Sequence, residues 1–163
     1  MLKTTENIID LIGETPLLRI NIPVKKKAAT IYAKLETTNP TGSIKDRMVS
    51  YMIKKAQDRG ELKMGMKIIE VTSGNTGVAF AMISAILGYK FLAVMPETVG
   101  PEKRKMMEFF GAKIILTPAK EDMAGAIKKY KELIKKNKNV WLPKQFENPD
   151  NIAAHREGLG KEI

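Results

Sequence analysis

Two short segments carry the residues best suited to chemistry. Asn39–Arg47 (NPTGSIKDR) places Lys45 at the predicted start of a helix, and Thr72–Gly77 (TSGNTG) joins a predicted strand to a predicted helix. The first segment supplies an amine, and the second supplies small hydrogen-bonding groups and backbone N–H groups that can bind an anion. An amine beside an anion-binding loop is suited to Schiff-base chemistry on an amino acid.

Lys45 lies in the first turn of its predicted helix, where Ser43 or Thr41 could cap the helix by accepting a backbone N–H. The helix dipole disfavours a positive charge at that end. A lysine that is neutral near pH 7 is a nucleophile and, once released, a general base. The alternative is an exposed lysine that pairs with Asp46 or has no role, and the spacing alone favours this plainer interpretation.

The Thr72–Gly77 loop suits a carboxylate because its two glycines let a ligand approach the backbone. The side chains of Ser73, Asn75 and Thr76 can each form a hydrogen bond with a carboxylate. The alternative is a tight strand-to-helix turn that binds no ligand.

Alternating strands and helices would position both segments. Strands are predicted at Ile31–Leu35, Lys67–Val71, Phe91–Met95, Lys113–Leu116 and Val140–Leu142. Helices are predicted at Ser43–Arg59, from Gly77 or Val78 to Leu87, at Pro101–Phe110, and from Met123 to about Lys136. This pattern indicates an α/β fold with a doubly wound, mostly parallel sheet and helices on both faces. Such sheets bind ligands at the carboxyl ends of their strands, which is where the Thr72–Gly77 loop falls.

Two parts of the N-terminal region fit this pattern less well. The apolar segments Ile8–Ile12 and Leu17–Ile20 precede the first predicted strand and need a surface to cover them. Lys25–Lys27 is predicted to form a turn after Pro23.

Composition excludes several classes of protein and site. The 163 residues are 44% hydrophobic and 28% charged, as in a globular domain. The chain has no cysteine and one histidine, which excludes disulfides and zinc–thiolate sites and argues against any metal site. It has neither an apolar run of ~20 residues nor a secretory signal, so we predict a cytoplasmic protein with no membrane partner.

The net charge of +10 does not accompany a nucleic-acid-binding motif, and six of the lysines lie in one stretch, between Lys128 and Lys138. The lysines between Lys128 and Lys138 alternate with apolar residues at helical spacing, so they form a solvated face. We interpret them as favouring solubility or heat tolerance, and predict no nucleic-acid partner.

In this order, the two segments resemble the fold-type II pyridoxal-phosphate enzymes, whose fold is that of the tryptophan synthase β chain. Within that family they most closely resemble the cysteine synthases (O-acetylserine sulfhydrylases). Supporting stretches are Ile12–Leu17 (IGETPL), Met95–Thr98 (MPET), Gly111–Lys113 (GAK) and Gln145–Pro149 (QFENP). The resemblance runs in order through the whole chain and overrides the plainer interpretation of Lys45.

The resemblance implies pyridoxal 5'-phosphate as cofactor, held by Lys45 as an internal aldimine, with Asn75 beside its ring. Lys45 would also remove the α-proton of O-acetylserine or another O-activated serine, and sulfide would then add to make cysteine. The residues implied to bind the substrate's carboxylate are Thr72, Ser73, Gly74, Asn75, Thr76 and Gln145. Serine and threonine dehydratases, threonine synthases and cystathionine β-synthases share the lysine helix and remain alternatives.

The resemblance further implies a two-domain enzyme of which this chain corresponds to the N-terminal half. Residues 1–38 would pack on the second domain, residues 39–145 would form the small α/β domain, and residues 146–163 would begin the large domain. No two glycines are adjacent in the chain, so the family's glycine-rich phosphate loop is missing from it.

Three interpretations of this length remain open. The chain is a fragment, one half of a split enzyme completed by a partner chain, or a non-catalytic module that self-associates through Ile8–Ile20. We expect weak or no activity from the chain alone. The expected partners are an amino-acid substrate, sulfide, and a second copy or a complementing chain.

Overall fold

The computed structural model describes residues 4–24 and 27–163, and within these ranges the strands form two sheets. An antiparallel hairpin pairs β1 (Leu17–Val24) with β2 (Lys27–Lys34). The parallel sheet comprises β3 (Lys67–Val71), β4 (Lys90–Pro96), β5 (Lys113–Thr117) and β6 (Val140–Trp141). The α-helices are α1 (Lys45–Asp58), α2 (Asn75–Ile86), α3 (Pro101–Phe109), α4 (Asp122–Lys136) and α5 (Pro149–Ala154). A π-helical turn at His155–Leu159 and a helical turn at Gly160–Glu162 continue α5.

The strand order β5-β4-β3-β6 creates a crevice beside β3. The chain runs outward from β3 through β4 to β5, and then returns to place β6 on the other side of β3. Because crossovers between parallel strands are right-handed, the reversal puts α2 and α3 on one face of the sheet and α4 on the other. Ligands of such sheets bind where the order reverses, which here is between the carboxyl ends of β3 and β6.

Alternate residues of β3 face the two layers of helices. Ile68 belongs to the main core with α1 and α2, whereas Ile69 and Val71 belong to a smaller core against α4. In the main core, Phe80 of α2 stacks on Phe91 with ring centroids 5.5 Å apart. The nearly all-apolar sequence of α2 is therefore explained by burial on several sides, as predicted.

The parallel α/β fold is confirmed, and most helix and strand ends lie within two residues of those predicted. One part was wrong. The predicted strand at Ile31–Leu35 is not in the parallel sheet, because β2 pairs with β1 instead. The alternating apolar residues of Leu17–Val24 are the sign of that strand. Of the predicted turn at Lys25–Lys27, residues 25 and 26 lie outside the described residues, and Lys27 is the first residue of β2.

The hairpin leaves large apolar side chains in solvent. The exposed fractions of Leu17, Leu18, Ile20, Ile22, Ile31 and Tyr32 lie between 38% and 60%. In the segment before the hairpin, Ile9 and Ile12 pack against the main core, whereas Ile8 and Leu11 are 44% and 46% exposed. In the part of the chain that the structure describes, no helix is long and apolar enough to cross a membrane.

Arg47 anchors the start of α1, and therefore Lys45, to two distant segments. Its guanidinium donates to Glu36, just after β2, with an Nε–Oε2 distance of 2.6 Å. It also donates to Glu162 near the C-terminus, with an Nη2–Oε2 distance of 2.8 Å, and Lys34 pairs with the same carboxylate. Two-oxygen recognition by a buried guanidinium fixes orientation as well as distance.

Candidate active site

A cleft of about 280 Å³ opens at the carboxyl ends of β3 and β6. Val71, Met123 and Phe146 form part of its lining. The rest consists of the residues predicted from the sequence: Lys45, Thr72, Ser73, Gly74, Asn75, Thr76 and Gln145. The structure thus brings the predicted residues together, while their roles towards ligands remain predictions.

Lys45 is the first residue of α1 and is half-buried. Ile44 precedes the helix and makes no side-chain cap, but the Ser43 hydroxyl accepts the backbone N–H of Lys45 at 3.2 Å. Thr41 instead donates its hydroxyl and backbone N–H to Asp46. Burial raises the pKa of Asp46, and the Thr41 bonds oppose that rise. Among the described residues, Lys45 forms no salt bridge, so its amine is uncommitted.

Thr72 shapes the loop from inside. Its side chain is buried, and its hydroxyl oxygen accepts the backbone N–H of Gly77 at 2.9 Å. A Cβ on Gly77 would lie 2.6 Å from both Thr72 Cγ2 and Met107 Sδ. The close approach of the loop to α3 therefore requires glycine at this position.

The other loop residues present donors to the cleft. Ser73 and Asn75 are exposed, and the backbone N–H groups of Asn75 and Thr76 belong to the first turn of α2. First-turn N–H groups have no partner within their own helix and carry the positive end of its dipole. Such an end can bind a carboxylate without a positively charged side chain.

Gln145 joins the segment after β6 to the loop after β3. Its Nε2 donates to the Val71 carbonyl at 3.1 Å, and its Oε1 accepts the Thr76 hydroxyl at 2.9 Å. Since the Val71 carbonyl can only accept, it determines which way the amide points. One Nε2–H remains for a ligand.

Glu70 is a residue that sequence analysis missed. It is 4% exposed, and its two carboxylate oxygens accept the backbone N–H groups of Val71 and Gln145 at 2.9 and 3.1 Å. Burial raises the pKa of Glu70 to about 7, and the backbone donors oppose that rise. A charged residue within the apolar strand Lys67–Val71 was the available signal.

His155 is a second residue that the sequence did not single out as part of a site. Its Nδ1 is buried and has no hydrogen-bond partner among the residues that the structure describes. Burial lowers its pKa, and the positive charge of Lys45 adds to the effect. It begins the π-helical turn, a feature common near functional sites.

Comparisons with known proteins agree with this geometry. The model of the pyridoxal-phosphate dependent enzyme family matches residues 8–163. A probable cysteine synthase of Bacillus subtilis (strain 168) is 48% identical over all 163 residues, which cover 52% of that protein.

Two solved structures are similar over 99% of this chain. Cysteine synthase (OASS) from Entamoeba histolytica has a TM-score of 0.92 at 42% identity, with 49% of that chain covered. An O-acetylserine dependent cystathionine β-synthase from Helicobacter pylori has a TM-score of 0.91 at 41% identity, with 54% covered. The chain spans about half the length of these relatives. With a family match over nearly all of its residues and a cleft that unites the predicted groups, the chain belongs to the pyridoxal-phosphate-dependent enzymes.

Proposed function

We propose that the chain serves in cysteine biosynthesis, in a pyridoxal-phosphate-dependent β-replacement that converts O-acetylserine, or another O-activated serine, and sulfide to cysteine. The observation that carries this proposal is the meeting of the Lys45 amine and the Thr72–Thr76 loop in one cleft. Because the chain spans about half the length of its relatives, the proposal concerns the complete active site to which this chain contributes.

The cleft fits one end of the cofactor. The uncommitted Lys45 amine suits its aldehyde, and the exposed Asn75 side chain suits its ring hydroxyl. The phosphate is a dianion that needs several donors, and Lys45 is the one cation among the described residues that line the cleft. We infer that the phosphate is held by groups outside the described residues, in the same chain or in a partner.

When bound, pyridoxal phosphate supplies an electron sink for the substrate's α-carbon. The Lys45 amine takes up the α-proton as general base. The substrate carboxylate accepts from the N–H groups of Asn75 and Thr76, from Ser73, and from the free Nε2–H of Gln145. The Thr76 hydroxyl has one proton and donates it to Gln145, so we assign its backbone N–H to the carboxylate.

Cofactor capture tests the proposal. The purified chain is mixed with pyridoxal phosphate, its visible spectrum is recorded, and the product is reduced with borohydride and mapped by mass spectrometry. We expect a covalent adduct on Lys45 that is lost in Lys45→Ala. The matched control is Lys54→Ala, on the same helix with a 74% exposed side chain, which should keep the adduct. Modification spread over many lysines, with none favoured, would contradict the proposed role of Lys45.

A positive result leads to a turnover assay with O-acetylserine and sulfide. The similarity to the Helicobacter pylori enzyme favours a second candidate, in which a larger thiol replaces sulfide. Relative rates with sulfide and with larger thiols distinguish the two. Serine or threonine dehydratase activity, a further alternative, would release ammonia without any added thiol.

A non-catalytic role is the remaining alternative, in which the chain assembles with a partner chain. The exposed apolar hairpin favours assembly of some kind, as a homodimer or with a complementing chain. The mass of the chain in solution, alone and in its host's extract, tests this. Cytoplasmic location stays a prediction from the sequence.

A further inference from the structure

Glu70 lies where the parallel sheet stops being held by backbone hydrogen bonds. β6 pairs with β3 only at Val140 with Lys67 and at Trp141 with Ile68. Beyond Trp141 the two chains have no ladder, although β3 continues to Val71. The cleft lies in this gap between β3 and the segment that follows β6.

Side chains replace the missing ladder. The Glu70 carboxylate accepts the Gln145 backbone N–H through Oε2 and the Val71 N–H through Oε1. The Gln145 side chain then bonds to the Val71 carbonyl and the Thr76 hydroxyl, both at the cleft. Glu70 thus holds the backbone of Gln145, whose side chain lines the cleft, while Glu70 itself lies outside the cleft lining.

The chain around Gln145 needs such an anchor. Lys144 adopts a positive φ of 51°, which costs energy for a non-glycine residue. A strained residue persists only when its surroundings determine its conformation. The Lys144 carbonyl accepts the backbone N–H groups of Glu147 and Asn148, and Glu70 and Asn151 hold the N–H and the carbonyl of the next residue, Gln145.

We propose that Glu70 is a positioning residue for amino-acid binding, and that its carboxylate sets the Gln145 side chain in the cleft only while it is ionised. This rests on the proposed function, since it assigns Gln145 to the substrate carboxylate. Glu70 itself lies behind the cleft and outside its lining.

Glu70 changes its ionisation near neutral pH. Burial raises the pKa of Glu70 from 4.5 to about 7. Above that pH both oxygens accept; below it one oxygen carries a proton and becomes a poor acceptor. Because folding raises this pKa, the group stabilises the fold fully at low pH and loses that stabilisation as pH rises through about 7. The ionised carboxylate therefore positions Gln145 in the cleft but lowers the stability of the fold.

Charged and titratable groups of two elements face Glu70. From α4 these are Tyr130, whose buried hydroxyl has no partner in the described ranges, and Lys131. From the segment after β6 they are Lys144 and Glu147, and the negative charge of Glu147 raises the pKa of Glu70 further.

The test is a pH titration of the isotope-labelled chain followed by NMR, which requires neither cofactor nor turnover. The resonances to follow are the backbone N–H of Gln145 and Val71 and the Nε2–H pair of Gln145. We expect all three to shift together with a midpoint near the Glu70 pKa of about 7. Shifts of the Gln145 side chain distinguish positioning from a purely structural role, which would move the backbone signals alone.

Two variants complete the test. Glu70→Gln removes the ionisation at constant size and should abolish the shared transition. Glu147→Gln removes the same charge two residues after Gln145, in a side chain that is 75% exposed, and should keep the transition. A flat wild-type Gln145 side-chain signal, or a transition that survives in Glu70→Gln, would overturn the proposal.

A kinetic arm separates this inference from the proposed function. In the completed, cofactor-loaded enzyme, which also contains the groups that hold the phosphate, we expect the KM for O-acetylserine to rise about tenfold in Glu70→Gln with kcat nearly unchanged. A rise of about tenfold corresponds to the loss of about one hydrogen bond. If the completed enzyme shows no cofactor capture and no turnover, the proposed function fails, while the NMR transition of the chain still decides the positioning role. A kcat loss without any KM change would contradict positioning through Gln145.

Discussion

At the scale of single residues, a short chain of hydrogen bonds between neutral groups holds the lining of the cleft together. The Thr76 hydroxyl donates to Gln145, and Gln145 donates to the Val71 carbonyl. Both side chains are buried. A buried acceptor that loses its donor is left without a hydrogen bond and destabilises the fold by its full desolvation free energy. Breaking either hydrogen bond should therefore cost more stability than the net contribution of the bond itself.

Thr76→Val tests this chain, because valine keeps the shape of threonine and removes the hydroxyl. It leaves Gln145 Oε1 buried without its donor, so we expect a loss of about 1–3 kcal/mol in unfolding free energy, measured with urea. Thr76→Ser keeps the hydroxyl and should lose much less. Equal stability of the two variants would show that the Thr76–Gln145 bond contributes little.

At the scale of elements, the packing of α2 against α3 determines where the loop lies. Gly77 is in the first turn of α2, and its missing side chain lets Thr72 and Met107 approach the helix backbone. Because α1 also packs against α2, this contact sets the position of the N-terminus of α2 relative to Lys45.

Gly77→Ala should destabilise the fold by about 1–3 kcal/mol, because the new Cβ overlaps two neighbours in a filled core. The intrinsic gain of alanine over glycine within a helix, about 1 kcal/mol, opposes only part of this. Gly74→Ala is the matched control, as a Cβ there meets nothing within 4 Å and φ is −179°. Thermal and urea unfolding of both variants give the comparison, and an unchanged Gly77→Ala would mean that the loop can shift freely.

At the scale of the whole molecule, an ion network joins the end of the hairpin and the C-terminal helical turn to α1. Glu162 accepts from Arg47, 115 positions away in the sequence, and pairs with Lys34 of the hairpin. Hydrogen bonds from Arg47 hold the pKa of Glu162 well below its ordinary value, although burial opposes them. This contribution to stability is present above pH values near the unfolded pKa and is lost as pH falls below it.

Glu162→Gln should therefore lower the unfolding free energy by about 2 kcal/mol at pH 7, as a charged hydrogen bond does, and by less near pH 3. Urea titrations of the wild type and of Glu162→Gln at each pH measure the loss in unfolding free energy. Both proteins contain Glu70, so the pH dependence that Glu70 contributes cancels when the two are compared. Asp58→Asn, which removes an exposed i,i+4 pair with Lys54, should cost about 0.5 kcal/mol or less. An equal loss at both pH values would show that the Glu162 charge is unimportant.

Much of the fold followed from local patterns. Apolar periodicity, Pro101 at a helix start and glycines after helix ends located the elements of the parallel sheet within about two residues. The hairpin was not predicted, because the alternation in Leu17–Val24 was taken to indicate only an apolar segment. Helix α2 starts earlier than predicted, at Asn75, because the last residues of the Thr72–Gly77 loop are already helical.

The sequence by itself determined the chemistry of the cleft: an amine at a helix start, a loop of neutral donors, and their order along the chain. Only the tertiary structure decided which groups meet. The Thr76–Gln145 contact joins residues 69 positions apart, and the role of Glu70 appears only because β6 lies beside β3 and its ladder ends early. Local periodicity specifies which face of an element is buried, but strand order depends on the free energy of the whole packed sheet, which no single segment encodes.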